Sequence, residues 1–123
     1  MLGWNVVGKR VFLISGEGPS SATLTGVSGL IEDVSTGQFG QEVIRVVLDR
    51  AILVNGASLA EIFLVPRHRG YGSVALATTC IAVYVIDKLG TASEPIMDEG
   101  SILALMDVRV RDGLNNTLRR FSF

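Results

Sequence analysis

The stretch from Glu42 to Arg69, EVIRVVLDRAILVNGASLAEIFLVPRHR, contains the strongest structural signal in this chain. Two long apolar runs rich in Val, Ile and Leu flank the dipeptide Asn55-Gly56, which favours the two-residue turn of a β-hairpin. Pro66 ends the second run, and a basic segment that contains the only histidine of the chain follows it. The stretch therefore predicts a β-hairpin that leads into a basic loop.

Other turn signals divide the rest of the chain into pieces of strand length. Glycine-rich segments lie at 16–19, 36–40 and 70–72, and Gly90 follows a third apolar run. Residues 108–111, VRVR, alternate with a period of two, which is typical of a strand with one buried face. These signals predict seven strands, located in KRVFLIS, SATLTGVSGLIEDV, EVIRVVLDRAILV, the run after Gly56, VALATTCIAVYVID, ILALMDVRVR and TLRRFSF.

Seven short strands at this spacing predict a mainly β fold, a small closed or partly closed antiparallel barrel that hides its sheet edges. Gly26 and Gly29 interrupt the second predicted strand, where a small barrel needs a bend or bulge. The order of bent strand, loop, long strand and hairpin over residues 8–69 resembles the SH3-like and Sm-like small barrels. The resemblance is to a fold pattern and to no family, and the later residues form a C-terminal β extension in this interpretation.

Two segments also carry helix signals. Ser58-Leu-Ala-Glu61 has the form of a capping box, which predicts a single helical turn before the strand. Residues 73–89 are bounded by Ser73, a capping residue, and Gly90, a helix-terminating residue, although their many Val, Ile and Thr residues favour a strand. The alternative fold is therefore α+β, with one buried helix at about 73–89.

Composition limits the classes of protein that fit. The chain has 123 residues, which predicts a single domain over 1–123. Hydrophobic residues make up 48% of it and charged residues 19%, and the longest weakly polar stretch is too short to span a bilayer. We therefore expect the surplus apolar surface to be buried in a homo-oligomer, with no membrane segment.

Charge and cysteine content give two further expectations. The net charge of −1 and the pI near 5.7 do not fit a protein that coats duplex nucleic acid. Nine of the 11 basic residues are arginines, which suit planar anionic partners. Cys80 is the only cysteine, so no disulfide forms within the chain, and the N-terminal segment lacks a secretory signal pattern, so we expect a cytoplasmic location.

The candidate ligand-binding residues are Arg67, His68, Arg69 and Tyr71. Guanidinium groups beside an aromatic ring, on a loop between Pro66 and two glycines, can hold phosphate or carboxylate and can stack on a base. An anionic ligand or single-stranded nucleic acid is the partner that these residue types fit. In the alternative interpretation the arginines are solvated, or they pair with Glu61, Asp49 or a neighbouring chain.

Other constellations predict no chemistry. LISGEGPSSAT resembles the start of a phosphate loop, but no Gly-Lys-Ser/Thr follows, and the next residues are predicted to continue as a strand. Cys80 is predicted to lie several residues from His68 across their turn, and the acidic residues Glu94, Asp98 and Glu99 lack calcium-loop spacing. The sequence predicts no catalytic residue, no metal site and no cofactor.

The favoured hypothesis is therefore a non-enzymatic, homo-oligomeric small β-domain that binds an anionic ligand, nucleic acid or a protein partner through arginine-rich loops. Basic segments at 67–69 and 119–120, together with the low charge density, support it. The first alternative is a purely structural assembly unit, as in a phage or mobile-element accessory protein. The second is a small enzyme without a recognisable motif, for which the sequence offers only His68, Tyr71 and scattered carboxylates.

Overall fold

A computed structural model describes residues 7–36, 42–67, 81–88 and 102–111, and the structural statements below concern these residues. The chain forms six strands and one short helix in this part. The elements are β1 (Arg10–Glu17), α1 (Ser21–Leu24), β2 (Ser28–Thr36), β3 (Glu42–Val54), β4 (Ala57–Pro66), β5 (Ile81–Ile86) and β6 (Ile102–Arg111). The mainly β prediction is confirmed.

The six strands form one closed antiparallel sheet. Each strand pairs with the next in chain order, and β6 pairs with β1, so the sheet closes into a barrel without free edges. The C-terminal β segments are therefore part of the barrel wall, since β5 and β6 lie between β4 and β1. The seventh predicted strand, TLRRFSF, lies outside the described residues.

The predicted β3–β4 hairpin is present, and its turn has the geometry that its sequence requires. Asn55 and Gly56 have φ angles of 51° and 82°, and Val54 pairs with Ala57 across them. Two consecutive positive φ angles define the type I′ turn, which matches the twist of the flanking strands. The register places Leu59 opposite Ile52.

Two local predictions and the α+β alternative are wrong. Residues 58–61 belong to β4, because the Asn55-Gly56 turn fixes a ladder that this segment continues. Ile81–Ile86 is a strand, so a helix does not extend over 73–89, although residues 73–80 lie outside the described part. Ser21–Leu24, predicted as strand, forms the one-turn helix α1, whose Leu24 is fully buried. The helix contacts β1, β3 and β6, so the chain crosses one end of the barrel between β1 and β2.

The barrel interior is packed with aliphatic side chains. Every strand contributes inward-facing residues to one continuous cluster, to which Leu24 of α1 also belongs. The largest fully buried members include Leu13, Ile31, Ile44, Ile62, Leu64 and Met106. Ser20 is the only buried polar residue in the described part of the chain. Side chains therefore fill the space that a wider barrel would offer to a ligand.

A second apolar cluster lies on the outer face of the barrel. Val43, Phe63, Val65 and Ile86 are buried there, and Tyr84 and Ile102 pack against them. Their strand neighbours Ile44, Ile62, Leu64 and Val85 belong to the interior cluster, so this part of the sheet is apolar on both faces. We call Val43, Phe63, Val65 and Ile86 the outer apolar cluster. Within the described ranges, no helix is long and apolar enough to cross a membrane.

Candidate anion-binding face

The opposite side of the barrel carries arginines on its outer surface. Val11 and Leu13 of β1 point into the core, so Arg10 and Phe12 point outward, and both are partly exposed. In β6, Val108 and Val110 are buried while Arg109 and Arg111 are exposed. The register places Arg10 opposite Arg111 and Phe12 opposite Arg109. We call the outward residues Arg10, Phe12, Arg109 and Arg111 the arginine face.

Barrel closure creates this juxtaposition of cations. Directly opposed side chains of an antiparallel pair have Cβ atoms about 5 Å apart, and like charges there destabilise the sheet. Neither Arg109 nor Arg111 makes a hydrogen bond or ion pair with another residue of the described part. The nearest acidic position on the same face of β6 is Asp107, two residues before Arg109. Arg111 thus faces Arg10 without a carboxylate partner of its own in the described part of the chain.

Arg10 has the most extensive contacts of the three arginines. Its Nη2 donates to Oδ2 of Asp49, and its guanidinium carbon lies 5.9 Å from the centroid of the Phe12 ring. This separation is at the outer limit of a cation–π contact. The Ser28 hydroxyl donates to the same Asp49 oxygen at 2.5 Å. One carboxylate oxygen therefore accepts both bonds, and Oδ1 accepts none from the described residues.

These contacts favour the ionised form of Asp49. The hydrogen bond from Ser28 lowers the pKa of Asp49 below its ordinary value of 3.8 and is the largest effect. Partial burial acts in the opposite direction, and the hydrogen bond and positive charge of Arg10, together with the charge of Arg50, lower the pKa further. Asp49 is therefore a charged, acceptor-only group at neutral pH.

Backbone packing positions Ser28 beside Asp49. Gly29 lies where β2 crosses β3 closely, since a Cβ there would lie 2.5 Å from the Val47 carbonyl oxygen. The preceding turn is fixed to β1 by two bonds, because Leu13 N–H donates to Val27 O and Gly26 N–H donates to Leu13 O, both at 2.9 Å. These two bonds fix the position along the barrel axis at which the chain enters β2.

A cleft borders the Asp49 side of the arginine face. Its volume is about 500 Å³, and it is lined by Gly26, Val27, Ser28, Asp49, Arg50 and Ile52. The β3–β4 register shifts between Val47 and Ile52, so β3 bulges where Asp49 and Arg50 lie. Both charged residues line the cleft beside the chain that enters β2. The cleft thus combines two apolar walls, Val27 and Ile52, with a hydroxyl, a carboxylate and a guanidinium.

The structure places one of the four candidate ligand-binding residues. Arg67 directly follows β4, is exposed, and donates its backbone N–H to Ala82 O at 3.0 Å. His68, Arg69 and Tyr71 lie outside the described residues. The carboxylates suggested as partners of this loop contact other arginines, since Asp49 pairs with Arg10, and Glu61 lies 3.3 Å from Arg45. Arg67 leaves the barrel at the end where β1 begins and β6 ends.

The arginine face was missed by sequence reasoning, although one signal pointed to it. The alternation of Val108–Arg111 predicted a strand with exposed arginines, and KRVFL at 9–13 has the same period. Their proximity follows only from the pairing of the first strand with the last. Local sequence patterns do not show that the first strand pairs with the last.

No group of three or more His, Cys, Asp or Glu side chains in the described part is placed to hold a metal ion. Cys80, Glu94, Asp98 and Glu99 lie outside that part. Comparison of the chain with protein families, curated proteins and solved structures finds no match. The case for a function therefore depends on the geometry of the site.

Proposed function

We propose that this protein is a non-enzymatic binding module that holds an anionic ligand on the outer surface of strands β6, β1 and β2. The observation that carries the proposal is the placement of Arg10, Arg109 and Arg111 side by side on one face, with Arg10 directly opposite Arg111. An anion on this face would balance the charges of Arg109 and Arg111, for which the described residues provide no carboxylate.

The packed interior supports a surface site. Aliphatic side chains fill the barrel, so a ligand has to contact the outside of the wall or the barrel ends. Arginine suits such a site, because its planar fork gives two parallel hydrogen bonds to phosphate or carboxylate and loses less hydration than lysine. The exposed Arg109 and Arg111 have their donors available in the described part of the chain.

The arginine face also differs from Arg45, a further arginine on the barrel wall. Arg45 of β3 lies opposite Asp33 of β2 and contacts Glu61 of β4, so neighbouring carboxylates balance its charge. Arg109 and Arg111 have no such partner in the described residues. This contrast supports a cationic surface on β6 and β1 of the described barrel, in a chain whose net charge is −1.

Retention on immobilised heparin at about 50 mM salt tests the proposal, because heparin presents sulfate and carboxylate groups without bases. We expect the native chain to be retained and the Arg109→Ala/Arg111→Ala variant to elute earlier. The matched control is Arg45→Ala/Lys88→Ala, which removes the same charge from a partly exposed and an exposed position elsewhere on the barrel. Equal elution of the two variants, or no retention of the native chain, would contradict the proposal.

The loop that contains Arg67, His68, Arg69 and Tyr71 is proposed as a second contact region for the same ligand. Arg67 lies at the barrel end where Arg10 and Arg111 also lie, which supports this extension. Homo-oligomer formation and a cytoplasmic location stay predictions from the sequence.

A further inference from the structure

We infer that the anionic ligand is single-stranded nucleic acid, and that the cleft beside Asp49 receives a base with an exocyclic amino group. This inference depends on the proposed function, since it identifies the ligand class of the same face. It is based on four side chains that lie in one row across the strands: Arg109 on β6, Phe12 on β1, Ser28 on β2 and Asp49 on β3.

The row presents a guanidinium, an aromatic ring and polar acceptors within the length of one nucleotide. Adjacent strands lie about 4.8 Å apart, so the row from β6 to β3 spans about 14 Å, which suits a phosphate, its sugar and its base. Arg109 at one end offers a fork for phosphate, and Phe12 offers a partly exposed ring for stacking. Ser28 and Asp49 at the other end offer polar atoms to the edge of a base.

A second phosphate contact follows along β6. Arg109 and Arg111 are separated by one residue and face the same side, which places them about 7 Å apart. Successive phosphates of an extended single strand have a comparable separation, so the two arginines can contact neighbouring phosphates. Arg10, opposite Arg111, adds a guanidinium plane on which a base can stack.

The same features disfavour duplex nucleic acid. In a duplex the bases are stacked and paired, so Phe12 and the cleft would have no base face or Watson–Crick edge to contact. The arginine face is a sheet surface without a protruding helix in its described part, and the overall charge is slightly negative. Duplex binding relies on a broad positive surface instead.

The cleft gives the preference among bases. Asp49 lines it with Oδ2 held by Arg10 and Ser28, while Oδ1 accepts no bond from the described residues. A carboxylate oxygen accepts a hydrogen bond from an amino group such as N4 of cytosine, whereas the only donor on the Watson–Crick edge of thymine, N3–H, lies between two carbonyl oxygens that the carboxylate repels. The walls formed by Val27 and Ile52 give the base apolar contacts. The site should therefore prefer cytosine to thymine.

Fluorescence anisotropy with labelled oligo-dC and oligo-dT of equal length tests this inference at pH 7.5, where Asp49 is ionised. We expect oligo-dC to bind at least about fivefold more tightly than oligo-dT, as one hydrogen bond to a charged group provides. Asp49→Asn supplies an amide that can donate to O4, so the preference should disappear in this variant while oligo-dT binding is retained or improves.

The arginines are tested by the dependence on salt. Arg109→Ala/Arg111→Ala should reduce the slope of log affinity against log salt by about 1.4, since each phosphate contact to a single strand contributes about 0.7. Arg109→Lys/Arg111→Lys keeps the charge and should keep most of the slope. Phe12→Leu should weaken both oligonucleotides about tenfold, as loss of a stacked base does, while heparin retention stays unchanged.

The outcomes separate the two proposals. Heparin retention without oligonucleotide binding would overturn the inference and leave the proposed function standing. Tighter binding of a duplex of the same sequence, or equal binding of oligo-dC and oligo-dT, would also overturn the inference. If the native chain binds neither heparin nor oligonucleotides at about 50 mM salt, both proposals fall.

Discussion

Phe12 and Phe63 both point outward from the barrel, yet their surroundings differ completely. Phe63 on β4 is 9% exposed and belongs to the outer apolar cluster with Val43, Val65 and Ile86. Phe12 on β1 is partly exposed between Arg10 and Arg109. The outward residues around Phe63 therefore form a hydrophobic core, whereas those around Phe12 form a mainly cationic surface that is available to a ligand.

The sequence already distinguishes these two walls. IFLVP at 62–66 is continuously apolar, which is typical of a strand buried on both faces. VRVR at 108–111 alternates, which is typical of a strand with one solvent face. The high apolar content, attributed above to a homo-oligomer, is thus partly explained within a single chain that has an interior core and an outer apolar cluster.

The largest expected effect compares the two phenylalanines. Phe63→Ala should lower the free energy of unfolding by about 3 kcal/mol or more, because it opens a cavity among buried neighbours. Phe12→Ala removes a partly exposed ring and should cost about 1 kcal/mol or less. Urea denaturation of both variants measures the difference. Equal losses would show that the two walls do not differ in packing.

The second effect concerns the backbone that supports the arginine face. Gly29→Ala places a Cβ 2.5 Å from the Val47 carbonyl oxygen and 2.7 Å from Val46 Cγ1, so β2 has to move away from β3. We expect a loss of about 1–3 kcal/mol in the free energy of unfolding, with weaker binding of oligo-dC because Ser28 and Asp49 shift.

The matched control for this change is Gly26→Ala. Gly26 has a positive φ of 86° but no atom within 4 Å of its added Cβ. The control should cost about 1 kcal/mol through backbone strain alone. A control variant as unstable as Gly29→Ala would show that close packing of β2 on β3 is not the cause.

Much of the fold was predictable because its signals are local. The Asn55-Gly56 turn requires two positive φ angles, and the apolar runs around it have strand length. The helix Ser21–Leu24 was not predictable in this way, since its stability comes from Leu24, which is buried against the interior cluster. The capping-box pattern at Ser58–Glu61 was misleading for a related reason, because hairpin pairing outweighs one turn of helix.

The candidate site was less predictable than the fold. Sequence reasoning selected Arg67–Tyr71 because its basic and aromatic residues are contiguous in the chain. The arginine face instead combines Arg10 with Arg109 and Arg111, which lie near opposite ends of the described chain and meet only when β6 pairs with β1. Asp49 joins them through a bulge in β3 that leaves no clear pattern in the sequence.

A smaller effect follows from the ionised Asp49. The pKa of Asp49 is lowered in the folded chain by Ser28, the largest cause, and by Arg10. The bonds of Asp49 therefore stabilise the fold fully above pH 3.8, and this stabilisation is lost as the pH falls through the lowered pKa. The native chain should lose stability on acidification more steeply than Asp49→Asn, by less than about 1 kcal/mol because the pair is partly exposed.

Acid titrations of thermal unfolding measure this difference between the native chain and Asp49→Asn. Ser28→Ala should remove more of the dependence on pH than Arg10→Met, since the hydroxyl has the larger effect on the pKa. The reverse order would contradict the assignment of the main cause to Ser28.

The smallest expected effect on stability concerns Leu53, which is 68% exposed on the β3–β4 hairpin. The outer apolar cluster is already buried, so a subunit interface has to use other residues, and Leu53 is the most exposed large hydrophobic residue of the described part.

Light scattering at micromolar concentration should give a multiple of 13.1 kDa for the native chain and a lower mass for Leu53→Lys. The free energy of unfolding of the dilute variant should stay within about 0.5 kcal/mol, because an exposed side chain contributes little to the fold. A native monomer would contradict the predicted homo-oligomer, and an unchanged mass of the variant would exclude Leu53 from the interface.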